Sequence, residues 1–145
     1  MTTNPVALVT GSRRGIGRAI ALTLAREGYD IVVNDYKLDA NAEETAAAVR
    51  ALGRQVALVQ ADLGNSASIR ALVQQVIAHF GRIDVLVNNA ATWEWDDFVD
   101  VPEAHWDKML TVDLKGPFIC AQEAARQMIS QGNGGAIVNI SSVHR

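Results

Sequence analysis

Short, unbroken apolar runs recur along this chain: Val6-Ala7-Leu8-Val9, Ile31-Val32-Val33, Val56-Ala57-Leu58-Val59, Ile83-Asp84-Val85-Leu86-Val87 and Ala136-Ile137-Val138-Asn139-Ile140. Runs of this length with almost no outward polar position predict strands buried on both faces of a parallel sheet. Strands are therefore expected over 6–10, 29–34, 55–60, 83–87 and 136–140. Between them the apolar spacing changes to three and four residues, which predicts helices. The first covers 15–27, with Ile16, Ala19, Ile20, Thr23 and Leu24 expected on its buried face. A second covers 39–52. A third, capped by Asn65 or Ser66, carries the stripe Ile69, Leu72, Val73, Val76, Ile77 and Phe80. Gly28, Gly53 and Gly81 follow these helices as natural stops.

After the fourth strand the order is less regular. A polar and aromatic loop, Thr92-Trp93-Glu94-Trp95-Asp96-Asp97, leads to a short helix opening at Pro102-Glu103. A longer helix is expected over 106–131, kinked at Pro117, and Gly132-Asn133-Gly134-Gly135 turns the chain into the last strand. Strands alternating with helices, joined by right-handed crossovers, give an α/β fold: a doubly wound parallel sheet with helices on both faces, in three layers. No linker, repeat or low-complexity tract divides residues 1–145, so one domain is expected.

Composition narrows the partners. Half of the 145 residues are apolar (49%), enough for a sizeable core. The formal net charge of −3 argues against nucleic acid or anionic membranes as partners. Cys120 is the single cysteine, which excludes an internal disulfide and a cysteine-rich metal site, and His79, His105 and His144 lack ligand spacing. The start, Met1-Thr2-Thr3-Asn4-Pro5, has no signal-peptide core, and no apolar run is long enough to span a bilayer. A cytoplasmic protein without metal is expected.

In open sheets of this kind ligands bind beyond the carboxyl ends of the strands. Those ends carry Thr10-Gly11, Asp35, Asp62, Asn88-Asn89 and Ser141-Ser142, polar or glycine residues at all five positions. The first continues as Thr10-Gly11-Ser12-Arg13-Arg14-Gly15-Ile16-Gly17 and runs into the first helix. Strand, glycine loop and helix together offer backbone N–H groups and a helix N-terminus to a phosphate, and glycine lets that backbone come close. The spacing is T-G-x-x-x-G-x-G, with Ile20 where the commoner G-x-G-x-x-G fingerprint would have its third glycine.

With the glycine loop, Asn88-Asn89-Ala90 and Asn139-Ile140-Ser141-Ser142 in this order, the chain resembles the short-chain dehydrogenases/reductases over its whole length. The resemblance implies a Rossmann-like fold and an oxidoreductase that moves a hydride between a nicotinamide cofactor and a small-molecule carbonyl or secondary alcohol. Gly11, Ser12, Arg13, Arg14, Gly15 and Ile16 would line the cofactor, with Gly17 allowing close helix packing. Asn89 and Ala90 would flank the nicotinamide ribose, with Ala91 in place of the usual glycine. Asp62 and Leu63 would contact adenine, although Asp62 also suits a plain helix entry.

Two cues on the cofactor conflict. Asp35 can accept from the ribose hydroxyls and would repel a 2′-phosphate, by on the order of 4 kcal/mol per unit charge at about 4 Å before screening, which favours NAD. Arg14, with Lys37 near it, resembles the basic residue of NADP-preferring members, so NADP stays as the alternative. Ser142 aligns with the catalytic serine that orients the reacting oxygen. Asp113 stands where the family usually has an Asn whose carbonyl holds a relay water, and Pro117, lacking an N–H, would leave that carbonyl unpaired. The Tyr-x-x-x-Lys pair that handles the proton in the family does not follow Ser142 within these residues. The chain therefore reads as the N-terminal part of such an enzyme, without turnover of its own. A non-catalytic nucleotide-binding module is the alternative. The Ser142-Val143-His144 ending looks closest to oxoacyl-carrier-protein reductases and sugar dehydrogenases, and the 106–131 helix resembles one used in dimer and tetramer contacts, implying a homo-oligomer.

Overall fold

The computed structural model describes residues 2–142. Five strands, β1 (Val6–Val9), β2 (Asp30–Asp35), β3 (Val56–Gln60), β4 (Val85–Asn88) and β5 (Ala136–Asn139), form one sheet in the order β3-β2-β1-β4-β5. All four pairings are parallel. The helices α1 (Gly15–Arg26), α2 (Ala40–Ala51), α3 (Ser66–Phe80), α4 (Glu103–Leu110) and α5 (Gly116–Gln131) make the crossovers. This is the expected doubly wound α/β architecture, except that β5, at the sheet edge, is exposed along its whole length rather than buried on both faces.

Strand periodicity divides the core in two. Along β1, Val6 and Leu8 face the layer that holds Ile69, Leu72, Val76, Phe80, Ile119 and Cys120. Ala7 and Val9 face the opposite layer, with Ala21, Ala25, Ile31, Val33 and Val49. The stripe expected on α3 is buried at Ile69, Leu72, Val73, Val76 and Phe80. Each such side chain contributes roughly 1.5–3 kcal/mol through apolar burial. Asn65 is the cap, its side chain accepting from the N–H groups of Ala67 and Ser68.

Two further expectations are corrected. The buried face of α1 is Gly17, Ala21 and Ala25, whereas Ile16 is 69% exposed and Ala19 and Thr23 face outward. The smallest side chains let this helix lie close against the sheet, and Ile20, Leu22 and Leu24 flank the contact half-buried. The 106–131 segment is not one helix either. A π-helical turn, Thr111–Lys115, separates α4 from α5, with the Gly116 N–H donating to the Thr111 carbonyl five residues back. Pro117 then sits in the first turn of α5, where a missing N–H costs nothing. The wide turn brings the backbone against α3's entry, and a Cβ on Gly116 would lie 2.8 Å from the Leu63 carbonyl oxygen. Among the described residues no helix is long and apolar enough to cross a membrane.

Candidate active site

The sheet order reverses at β1, which lies between β2 and β4, and this is where a crevice opens in such folds. The glycine loop leaves β1 there. The Thr10 N–H donates to Val87 O at 3.0 Å, and the Ser12 N–H to Asn34 O at 2.9 Å, so the loop is tied to both neighbouring strand ends. Gly11 has φ +63°, and a Cβ on it would meet Ala90 Cα at 2.8 Å. A Cβ on Gly17 would overlap the Gly11 carbonyl oxygen and reach Asn89 Nδ2 at 2.6 Å. The helix therefore presses on the loop. Its first turn carries no acidic residue, and it has no side-chain cap, unlike α2 and α3, which are capped by Asp39 and Asn65. Unclaimed N–H groups and the positive end of the dipole are what a diphosphate needs.

One cavity of about 720 Å³ lies over this helix end. Gly11, Arg13, Arg14, Gly15, Ile16 and Gly17 form one wall, Asp35, Asp62 and Leu63 a second, and Asn89 and Ala90 a third. The tips of four strands thus meet as expected. The fifth does not line the cavity: Ser141 and Ser142 follow β5, whose end is tied to β4 by the Ile140 N–H on Asn88 O at 2.9 Å and by Asn88 Nδ2 on Asn139 Oδ1 at 2.9 Å. Val143 and His144 lie outside the described residues. A second, shallow hollow beside Met128, Ile129 and Gly132 is lined by apolar side chains and glycines alone.

Several expected site residues turn out to hold the loop. Ser12 is buried and its hydroxyl donates to Val9 O at 2.6 Å. Asn89 Nδ2 donates to Thr10 O at 2.9 Å and Gly11 O at 3.2 Å, so its amide fixes the glycine turn while its flank lines the cavity. Asp62 Oδ1 accepts from the Gly64 N–H at 2.8 Å in a helix-entry turn, and the residue also lines the cavity.

The charges at the end of β2, where the two cofactor cues conflict, are arranged around Arg13. Arg14 is exposed on the cavity rim. Arg13, only 4% exposed, is the cation at Asp35, with Nε 3.3 Å from Asp35 Oδ1 and Nη1 2.7 Å from Asp39 Oδ2. Lys37 approaches Asp39 at 3.6 Å, and the Tyr36 ring lies 5.9 Å from the Arg13 guanidinium carbon and 5.8 Å from Lys37 Nζ. Desolvation raises the Asp39 pKa, but the Arg13 and Lys37 charges and the N–H groups of Ala42 and Asn41 outweigh it, leaving the carboxyl below its usual range. The Thr45 hydroxyl donates to Arg13 O at 2.8 Å and ties the loop to α2.

Asp113 lies in the π-helical turn, outside the cavity lining, and its Oδ1 accepts from the Thr92 N–H at 2.8 Å. The wider register alters the expected reason for a free carbonyl, because Pro117 now offers no N–H either to Asp113 or to Val112, five residues back. Burial pushes the Asp113 carboxyl above its usual 3.8, against the lowering effect of the Thr92 N–H. A raised carboxyl pKa in the fold means the ionised form is penalised there. The penalty is absent below the unfolded pKa, grows as pH rises, and is complete above the folded pKa. Asp113→Asn keeps an acceptor for Thr92 without that penalty. It is expected to melt above wild type at neutral pH, with the gap closing near about pH 3, in paired thermal scans. A gap independent of pH would contradict this account.

Other groups at the site carried weak sequence signals or none. Lys108 lines the cavity and pairs with Glu94, and His105 Nδ1 lies 2.7 Å from Asp96 Oδ2. The polar and aromatic loop is thus pinned to α4, and a carboxylate before each helical cation was its only hint. Trp93 and Trp95 pack edge to face at 5.3 Å within that loop. Thr10, fully buried, was visible only as a strand-end hydroxyl, yet its Oγ1 accepts from the N–H groups of Asn89 and Ala90. The Cys120 thiol is pushed up to about 12 by burial and stays neutral.

The description "short chain dehydrogenase" belongs to the family model that matches residues 5–145. The chain is 42% identical to a 3-oxoacyl-[acyl-carrier-protein] reductase from Staphylococcus aureus over 137 residues, 94% of this chain and 55% of that protein. It superposes on acetoin dehydrogenase from Salmonella typhimurium with a TM-score of 0.92 and 43% identity, covering 98% of this chain and 56% of the other. A metagenomic short-chain oxidoreductase in complex with NADP superposes with a TM-score of 0.89 and 36% identity, covering 96% of this chain and 62% of the other. The chain spans about 55% of the length of the curated relatives it matches. With the glycine loop, the parallel sheet and the crevice at its switch point all in place, the chain belongs to the short-chain dehydrogenase family.

Proposed function

We propose that this chain is the dinucleotide-binding part of an NAD-dependent oxidoreductase acting on a small carbonyl or secondary alcohol. The observation that carries the reading is the meeting of four strand tips and the uncapped α1 N-terminus around one cavity of about 720 Å³. That volume lies within the range of ligand and cofactor sites. The glycine loop would hold the diphosphate through its backbone, since Gly11 and Gly17 leave no room for a side chain. Asp35 would accept from the adenosine ribose, Asp62 and Leu63 would border adenine, and Ala90 would border the nicotinamide half. When bound, the nicotinamide supplies or takes up the hydride. Ser142, beyond the β5 tip, would orient the reacting oxygen, and the π-helical turn at Asp113 would hold a water for proton transfer. The proton donor itself is not among these residues.

Arg13 lowers the repulsion expected from a bare Asp35 carboxylate, but its guanidinium is shared with Asp39. The three groups together remain negative, which supports NAD over NADP. The acetoin and oxoacyl names of the relatives support a small ketone as substrate class. Trp106, Leu110, Leu114 and Phe118 are exposed from α4 through the π-helical turn into α5, which supports a homo-oligomer, dimer or tetramer, through that segment. The test is equilibrium titration with NADH and NADPH, read by nicotinamide fluorescence. NADH is expected to bind more tightly. Tighter NADPH would overturn the Asp35 argument, and binding of neither would overturn the whole reading.

A further inference from the structure

We propose that Asp39, which does not line the cavity, sets the cofactor preference through its hold on Arg13. The proposal rests on the reading that the adenosine ribose lies at Asp35. Asp35, at the end of β2, is 8% exposed, and among the described residues the cation in direct contact with it is the buried Arg13. Alone, that pair would be neutral and would present no net charge to a 2′-phosphate. Asp39 changes the balance. It stands at the start of α2, 2.7 Å from Arg13 Nη1, and draws the guanidinium between two carboxylates. Arg13, Asp35 and Asp39 then sum to one negative charge.

The remaining cations around the cluster are more exposed than Arg13. Lys37 approaches Asp39 at 3.6 Å but is half exposed, so water screens it. Arg14 is on the open rim, and Arg18 is turned toward Glu44 at 3.7 Å. The hold on Arg13 is also mechanical. The Thr45 hydroxyl fixes the Arg13 carbonyl, and the Tyr36 ring stands over its guanidinium, so the cation has little freedom to swing toward an incoming phosphate. Asp39 is therefore a positioning residue: it keeps Arg13 occupied and supplies the charge that disfavours the phosphorylated cofactor.

The test is the ratio of NADPH to NADH affinity in three variants of the intact protein, by the titration described above. Asp39→Asn keeps the helix cap, because an asparagine oxygen can still accept from the Asn41 N–H, and removes only the charge. It is expected to shift the ratio toward NADPH by about five- to tenfold. Asp39→Ser, also a good cap, is expected to shift it the same way. Arg13→Gln uncovers Asp35 and is expected to shift the ratio toward NADH. A purely structural brace would weaken both cofactors alike in every variant, and an unchanged ratio would overturn the proposal. A wild-type protein that binds neither cofactor would instead remove the reading beneath it.

Discussion

Gly17→Ala is expected to destabilise the protein by about 3 kcal/mol and to abolish dinucleotide binding. The added methyl would fall on the Gly11 carbonyl oxygen, 2.6 Å from Asn89 Nδ2 and 2.8 Å from Ser12 Cα. Two of those three neighbours are backbone of the glycine loop, and the third is the amide that pins it, so no flexible side chain can give way. Either α1 moves off the sheet, uncovering Ala21 and Ala25, or the loop is pushed into the cavity. Gly15→Ala provides the contrast. No atom lies within 4 Å of its added Cβ, and only the left-handed φ of +59° opposes the change, a cost of roughly 1–2 kcal/mol. Denaturant unfolding and nicotinamide titration of both variants check the pair. A Gly17→Ala protein as stable as wild type, with unchanged affinity, would sink the close-packing argument.

Thr10→Val is expected to cost about 2–4 kcal/mol although the two side chains have nearly the same shape. The Thr10 hydroxyl oxygen accepts from Asn89 N at 3.0 Å and Ala90 N at 3.1 Å, and the hydroxyl donates to Val87 O at 3.3 Å. Valine fills the space but leaves those two N–H groups without an acceptor where Thr10 is fully buried. Because the same contacts tie the glycine loop to the end of β4, the cavity loses its alignment as well as its stability. Thr10→Ser keeps the hydroxyl and loses one methyl, so it should cost only about 1 kcal/mol. The two midpoints in urea decide the matter: if serine and valine are equally harmful, packing rather than hydrogen bonding governs the position.

Much of this fold was legible because its signals are local and large. Each apolar run became a strand and the α3 stripe is largely buried as spaced, because β-branched and long aliphatic side chains mark where burial is sought, although the β5 run stays exposed at the sheet edge. The α1 face departs from its apolar spacing for the opposite reason. Glycine and alanine carry little hydrophobic signal, yet their smallness admits them to the tight contact under Gly17, Ala21 and Ala25, while Ile16 is left at the rim. The π-helical turn carries no such mark, because Pro117 signals an interruption without saying how the hydrogen bonds around it re-register.

By itself the sequence determined five strands, the alternation that makes them parallel, and a glycine loop before the first helix. Those properties are written in periodicity and in residues with special backbone freedom. Tertiary structure decided which charges face each other and which expected ligands brace the loop. Asp35 and Asp39 lie 22 and 26 residues beyond Arg13 along the chain, and only the pairing of β1 with β2 brings them into contact with it. Asn89 reaches the glycine turn only because β4 lies on the other side of β1. Strand order follows from how the crossovers pack their helices on the two faces, a property of the assembled layers that no single segment carries.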